Sequence, residues 1–179
     1  MGEDVGKAKW ERWQKDRTFV RELRGLYADV HKKVLSAPRV YKSRDIPFKG
    51  GPVTFGKHII NPQLPHSATQ VIEAHISVIA PGGQSGKHGH LNGAVMYVLE
   101  GKGYEIHDGE RLDWEAGDAF IVKNACVHQH FNADPNRPAR LLILKSKPLY
   151  MFFHLLYQKP VEWPAKEPIS GWEGWYPEE

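Results

Sequence analysis

The chain has 179 residues, enough for one domain with a proper hydrophobic core. A hydrophobic fraction of 41% and a charged fraction of 25% are ordinary for a globular protein, and a net charge of +3 suits an anionic small molecule while being too weak to argue for nucleic acid. No apolar run approaches the roughly 20 residues needed to span a membrane, no apolar signal core opens the chain, and the single cysteine, Cys126, excludes an internal disulfide, so the expected location is the cytoplasm.

Residues 1–39 make the first region. Trp10, Trp13, Val20, Leu23, Tyr27, Val30 and Val34 recur at helical spacing, which predicts one amphipathic helix over about 7–36 with charges on its other face. Pro38 ends it. The helix either packs on its own domain or forms an arm that covers a partner subunit.

The second region, 40–146, is strand-rich. Short apolar or alternating runs occur at 53–60, 70–80, 93–100, 103–107, 118–123, 127–132 and 139–145. Turn signals separate them, among them Pro81-Gly82-Gly83, Gly101-Lys102-Gly103, Asp108-Gly109 and Asp134-Pro135-Asn136. Asp-Gly between alternating runs predicts a hairpin. Strands at this spacing, with no helical pattern between them, predict an all-β sandwich or barrel.

The third region is 147–179. Its apolar run PLYMFFHLLY (148–157) suits helix or strand. The remainder holds four prolines and three tryptophans and is expected to cross the surface as an irregular tail, pinned by the tryptophans.

The chain has ten histidines, and their placement carries the chemistry. His88 and His90 are two residues apart, a spacing that on a strand puts both imidazoles on one face. His128 and His130 repeat the pattern forty residues later. If the two strands are neighbours, four imidazoles converge. Neutral imidazole is a common ligand for iron, copper, nickel and zinc. Two such pairs are a much stronger signal than one.

These residues resemble the two sequence motifs of the cupins. The first motif matches as Gly82, His88-Gly89-His90, Ala94 and Gly101, with every spacing kept. The second matches at Gly117, His128 and Asn132, while Lys123 and Ala125 stand where the family has proline and glycine. The resemblance implies a cupin antiparallel β-barrel of jelly-roll type, with one divalent metal held by His88, His90 and His128. The important departure is Ala94, which occupies the place of a metal-ligating glutamate. Alanine cannot ligate, so the protein ligands become three neutral histidines with open positions beside them. The opposing reading is a decayed site without metal.

A smaller group of cupins matches further. Gentisate-type ring-cleaving dioxygenases are similar at His88-Gly89-His90, at the small residue Ala94, at Asp108-Gly109-Glu110-Arg111 and at His128-Gln129-His130. That resemblance implies a non-haem Fe(II) dioxygenase that cleaves an aromatic or enolic substrate able to chelate the metal, with zinc, nickel, manganese or copper as alternative metals. The rival readings are a non-redox metal-dependent lyase or isomerase and a non-enzymatic ligand-binding cupin. The expected partners are an anionic or aromatic small molecule and a second copy of the chain in a homodimer, with no nucleic acid and no membrane.

For His130 three roles are open: a core histidine, a catalytic residue on the substrate side, or a fourth ligand. Ala94 and Met96 share strand parity and are expected to line the substrate pocket. Glu73 and His75 share parity too, and either has a path to the cavity. His66, His107 and His154 are read as surface or packing residues. Cys126 is read as a small packed hydrophobe.

Overall fold

The computed structural model describes residue 32 and residues 35–61 and 71–178. The chain divides into two compact units, Met1–Arg39 with His66–Ala68, and Val40–Pro65 with Thr69–Glu179. The helix expected over 7–36 falls almost entirely outside the described residues.

The second unit is mostly β, in two antiparallel sheets. One has six strands in the order β1 (Lys49–Gly50), β2 (Thr54–Ile60), β3 (Glu73–Ile79), β10 (Ala139–Lys145), β5 (Ala94–Glu100) and β8 (Ala119–Val122). The other has five: β11 (Gln158–Glu162), β4 (Lys87–His90), β9 (Val127–Asn132), β6 (Lys102–His107) and β7 (Glu110–Glu115). The strands expected of a barrel are thus organised as two separately hydrogen-bonded sheets.

Alternation explains how the sheets meet. In β5, Ala94, Met96 and Val98 are buried while Val95, Tyr97 and Leu99 are exposed. In β10, the partner of β5, Ala139, Leu141 and Ile143 are buried in the same way. These two rows form one apolar cluster with Val122, Cys126 and Trp114, the last contributed by β7 of the other sheet. Full burial of each large member stabilises the fold by about 1.5–3 kcal/mol.

The expected Asp-Gly hairpin joins β6 to β7. Asp108 and Gly109 both take positive φ, at 48° and 93°, as a type I′ turn demands.

The run 148–157, which suits helix or strand, begins in a short helix, α1 (Lys147–Phe152). The expectation of an irregular tail beyond it is corrected at its start, where Gln158–Glu162 form β11, which pairs antiparallel with β4. Pro160 cannot donate to a ladder, but β11 lies at the edge of its sheet, where proline is tolerated. Beyond Glu162 the described residues form turns and coil. There Trp175 and Tyr176 pack against Phe55 at ring separations of 5.6 and 5.3 Å, and the Tyr176 hydroxyl donates to the Phe48 carbonyl.

Ala125, in the turn before β9, takes a φ of 63° while its N–H donates to the carbonyl of His90. This is the position where the cupin motif carries glycine, and the backbone keeps the left-handed conformation although the residue has changed. A Cβ in that region costs about 1 kcal/mol. Ala125→Gly is therefore expected to raise stability by several tenths of a kcal/mol to about 1 kcal/mol, read as a higher midpoint in denaturant; a lower midpoint would contradict the strain argument.

Candidate metal centre

The strands β4 and β9 are hydrogen-bonded neighbours, and His88 is the direct register partner of His128. Side chains opposite each other on adjacent strands share a face, so His88, His90 and His128 point to the same side. Their ring centroids lie 4.4 Å (His88–His128), 4.8 Å (His90–His128) and 5.5 Å (His88–His90) apart. One nitrogen from each ring falls within 4.8 Å of the others, close enough for a single ion to reach all three.

Hydrogen bonds fix which nitrogens those are. His88 Nδ1 donates to the carbonyl of Gly86 at 3.2 Å, His90 Nδ1 to that of Asn92 at 2.6 Å, and His128 Nδ1 to that of Cys126 at 3.2 Å. A carbonyl only accepts, so each Nδ1 carries the proton and each Nε2 keeps its lone pair. The Nε2 of His90 is buried and has no hydrogen-bond partner. An orphaned acceptor nitrogen in an all-imidazole set fits a borderline divalent ion such as iron(II) or zinc.

Electrostatics point the same way. Burial pulls His88 and His90 down to about 4, aided by Lys145 and the neighbouring imidazoles. Burial, with His130 and His88 beside it, lowers His128 to about 2. All three rings are neutral at pH 7 and ready to ligate.

His130 lies next to the three, with its ring 5.2 Å from His128 and 6.3 Å from His88. Its Nδ1 is hydrogen-bonded to a carboxylate oxygen of Glu105. Glu105 is fully buried, accepts from Trp114 Nε1 at 2.9 Å, and lies 3.6 Å from His107 Nε2. Burial works to raise the Glu105 carboxyl, but His130, His107 and Trp114 outweigh it and hold it below the usual carboxylate range. Sequence reading missed Glu105. Only the register of β6 against β9, which sets Glu105 opposite His130, brings the two together.

The remaining candidates sort as follows. Ala94 and Met96 sit in the apolar core with Val98 and Leu141, and are not among the residues that line the cavity described below. His107 is buried, with its ring 5.9 Å from that of His128. Cys126 is buried in the apolar cluster, and burial with Asp108 pushes its thiol up to about 11. Asn132 of the second motif is structural: its amide donates to the carbonyls of Ile79, Ala80 and Arg137, tying β9 to the loop after β3. His66 lies outside the described residues.

A cavity of about 550 Å³ opens beside the histidines. Its walls include His58, His75, His88, His130 and Lys145, with Gln158 and Glu162 from the C-terminal segment. That volume accommodates a small aromatic molecule. Lys145 is the ladder partner of both Ala94 and Glu73. The Lys145 side chain thus starts beside Ala94, and burial lowers its pKa.

Comparison with known proteins agrees with this architecture. Residues 75–145 match the cupin domain family. The chain is 24% identical over 100 residues, 56% of its length, to the 1-hydroxy-2-naphthoate 1,2-dioxygenase of Nocardioides sp. strain KP7. Among solved structures it is similar to the salicylate 1,2-dioxygenase of Pseudoaminobacter salicylatoxidans, with a TM-score of 0.57, 17% identity and 64% of this chain covered. It is also similar to the polyketide cyclase RemF of Streptomyces resistomycificus, with a TM-score of 0.52, 19% identity and 60% of this chain covered. The chain spans 26% of the length of the naphthoate enzyme, 31% of the salicylate enzyme and 78% of the cyclase.

The depressed histidines set a pH dependence. In the unfolded chain each titrates near 6.5. Between pH 6.5 and pH 4 the unfolded state therefore takes up protons that the folded state refuses, and stability falls as the pH falls. For the metal-free protein, going from pH 7 to pH 5 is expected to cost about 2 kcal/mol for each of His88 and His90. Chemical denaturation at the two pH values measures this, and equal stabilities would show that the rings are not held neutral.

Proposed function

We propose that the protein is a non-haem iron(II) dioxygenase whose metal is held by His88, His90 and His128, and that it cleaves an aromatic or enolic substrate that chelates the metal. One observation carries the reading. Three neutral imidazoles, each with Nδ1 tied to a backbone carbonyl, converge beside a cavity, and Ala94 occupies the place of the anionic fourth ligand. Iron(II) bound there supplies the redox chemistry that couples dioxygen to an organic molecule.

The chain's own residues do the rest. The three histidines provide no negative charge, so the substrate has to bring it. Lys145 lines the cavity, has no carboxylate within 4 Å among the described residues, and attracts an anionic group there. Burial lowers Lys145 and Lys147 adds to this, while Glu73 works to restore its charge. His130 has Nδ1 committed to Glu105, which leaves Nε2 as the nitrogen available to hold or deliver a proton at the substrate. Residues of β11 and the segment after it form part of the cavity wall. The similarity to the hydroxynaphthoate enzyme supports an aromatic hydroxy acid as the substrate class.

The rival reading is a non-redox lyase or isomerase in which the metal acts as a Lewis acid. The same fold carries a polyketide cyclase, so the fold alone does not choose between them.

The metal distinguishes the two. Protein reconstituted anaerobically with Fe²⁺ is expected to consume oxygen with hydroxylated aromatic acids, whereas the Zn²⁺ form should be inactive, because zinc has no accessible redox chemistry. Turnover by the zinc form, or turnover without oxygen, would instead establish the Lewis-acid reading. Lys145→Met should raise KM for an anionic substrate by roughly 10- to 100-fold, the value of one charged hydrogen bond, with a smaller change in kcat. Steady-state kinetics on the iron form would show this, and an unchanged KM would remove Lys145 from the substrate site.

A further inference from the structure

A second group of metal-binding side chains lies on the wall of the same cavity. His58 on β2 and His75 on β3 are register partners, and Glu73 is two residues before His75 on the same strand. All three therefore share one face of the six-stranded sheet. Glu73 is 2% exposed and His75 7%. The His58 side chain is 42% exposed, which leaves the group open to solvent on one side.

The distances are informative. Glu73 Oε1 lies 3.4 Å from His75 Nδ1 and 3.7 Å from His58 Nδ1, and the two rings stack at 4.8 Å. These separations are long for hydrogen bonds, and the buried Nδ1 of His75 has no hydrogen-bond partner. They are close to the spacing of ligands around one ion, since bonds of about 2.0–2.1 Å place tetrahedral ligands about 3.3–3.4 Å apart. A buried carboxylate is costly without a cationic partner. Among the described residues, the only groups that pair with Glu73 within 4 Å are these two histidines. A divalent ion between the three donors satisfies the carboxylate and the orphaned nitrogen together.

We propose that His58, Glu73 and His75 form a second divalent-metal site, taking zinc or a similar borderline ion through two imidazole nitrogens and one carboxylate oxygen. His58 and His75 line the cavity that His88 and His130 also reach, so an ion here faces the same cavity as the three-histidine centre. The two sites differ in charge. The three-histidine set is neutral, whereas this one carries a carboxylate and so retains its ion without help from an anionic ligand. The inference stands on these three residues and does not depend on the oxygenase reading.

The test is metal stoichiometry, with Zn²⁺ alone as the probe. Untagged protein is stripped with a chelator, dialysed against Zn²⁺ and then against a weak competing chelator, and analysed by plasma mass spectrometry. Wild type is expected to keep two equivalents per chain, and His58→Ala and Glu73→Gln one each. His58 is the variant of choice because its exposed side chain can be shortened without opening the core, and circular dichroism checks the fold. In a His128→Ala background, one equivalent should remain and be lost on adding His58→Ala. No zinc in the wild type, or an unchanged zinc count in folded His58→Ala, would overturn the proposal; a single wild-type equivalent that His58→Ala loses would instead place the ion here and remove it from the three-histidine set.

Discussion

The pairing of β4 with β9 in the register that sets His88 against His128 is the constraint on which the rest of the site depends. Strand side chains alternate, so a slip of one residue would send His128 and His130 to the opposite face and scatter the cluster. The register is held from several directions. Ser85, just before β4, exchanges backbone hydrogen bonds with His130 through its N–H and its hydroxyl, and the Gln129 amide donates to its carbonyl. On the other side, β6 pairs with β9 and places Glu105 opposite His130. On the outer edge β11 pairs with β4, so the C-terminal segment buttresses the strand that carries His88 and His90.

That framework also sets the chemistry of each ring. A histidine on a strand is a flexible group with two interchangeable nitrogens. Here the backbone removes the choice for three rings by accepting from Nδ1, and a buried carboxylate does so for the fourth. The same strands therefore separate the rings into two kinds. Three present Nε2 to a common point and stay neutral because they are buried, and one is coupled to Glu105 and lines the cavity. Replacing a ligating glutamate by Ala94 fits this division. It removes the only negative charge the motif would have added, and Lys145 is the ladder partner of Ala94 on the neighbouring strand.

Much of the fold was legible in the chain because the central strands of the six-stranded sheet are buried on one face. Their alternation appears in the sequence, and β2, β3, β5, β8 and β10 fall close to where the apolar runs predict them. The strands with no apolar run of their own are β1, β4, β7 and β11. Three of these lie at sheet edges, where one side of the strand faces solvent and the hydrophobic signal fades. The fourth, β4, reads Lys-His-Gly-His and has no apolar residue. It was recognisable only by its histidines. Pro160 argued against a strand in the tail for a reason that holds for central strands and not for an edge.

The sequence by itself set the candidate donors: the spacing of His88 and His90, the repeat at His128 and His130, and the alanine at position 94 are local facts that survive any packing. It determined the Asp108-Gly109 hairpin for the same reason, since a two-residue turn needs only its own two residues to take positive φ. Only the tertiary structure decided which groups act on those donors. Glu105 lies 25 residues from His130 along the chain, and β11 is more than 60 residues beyond β4. His58 meets Glu73 and His75 across a pair of strands, without a motif to mark the meeting. These are cross-strand contacts, set by register and sheet order, and a linear pattern contains neither until the chain has folded.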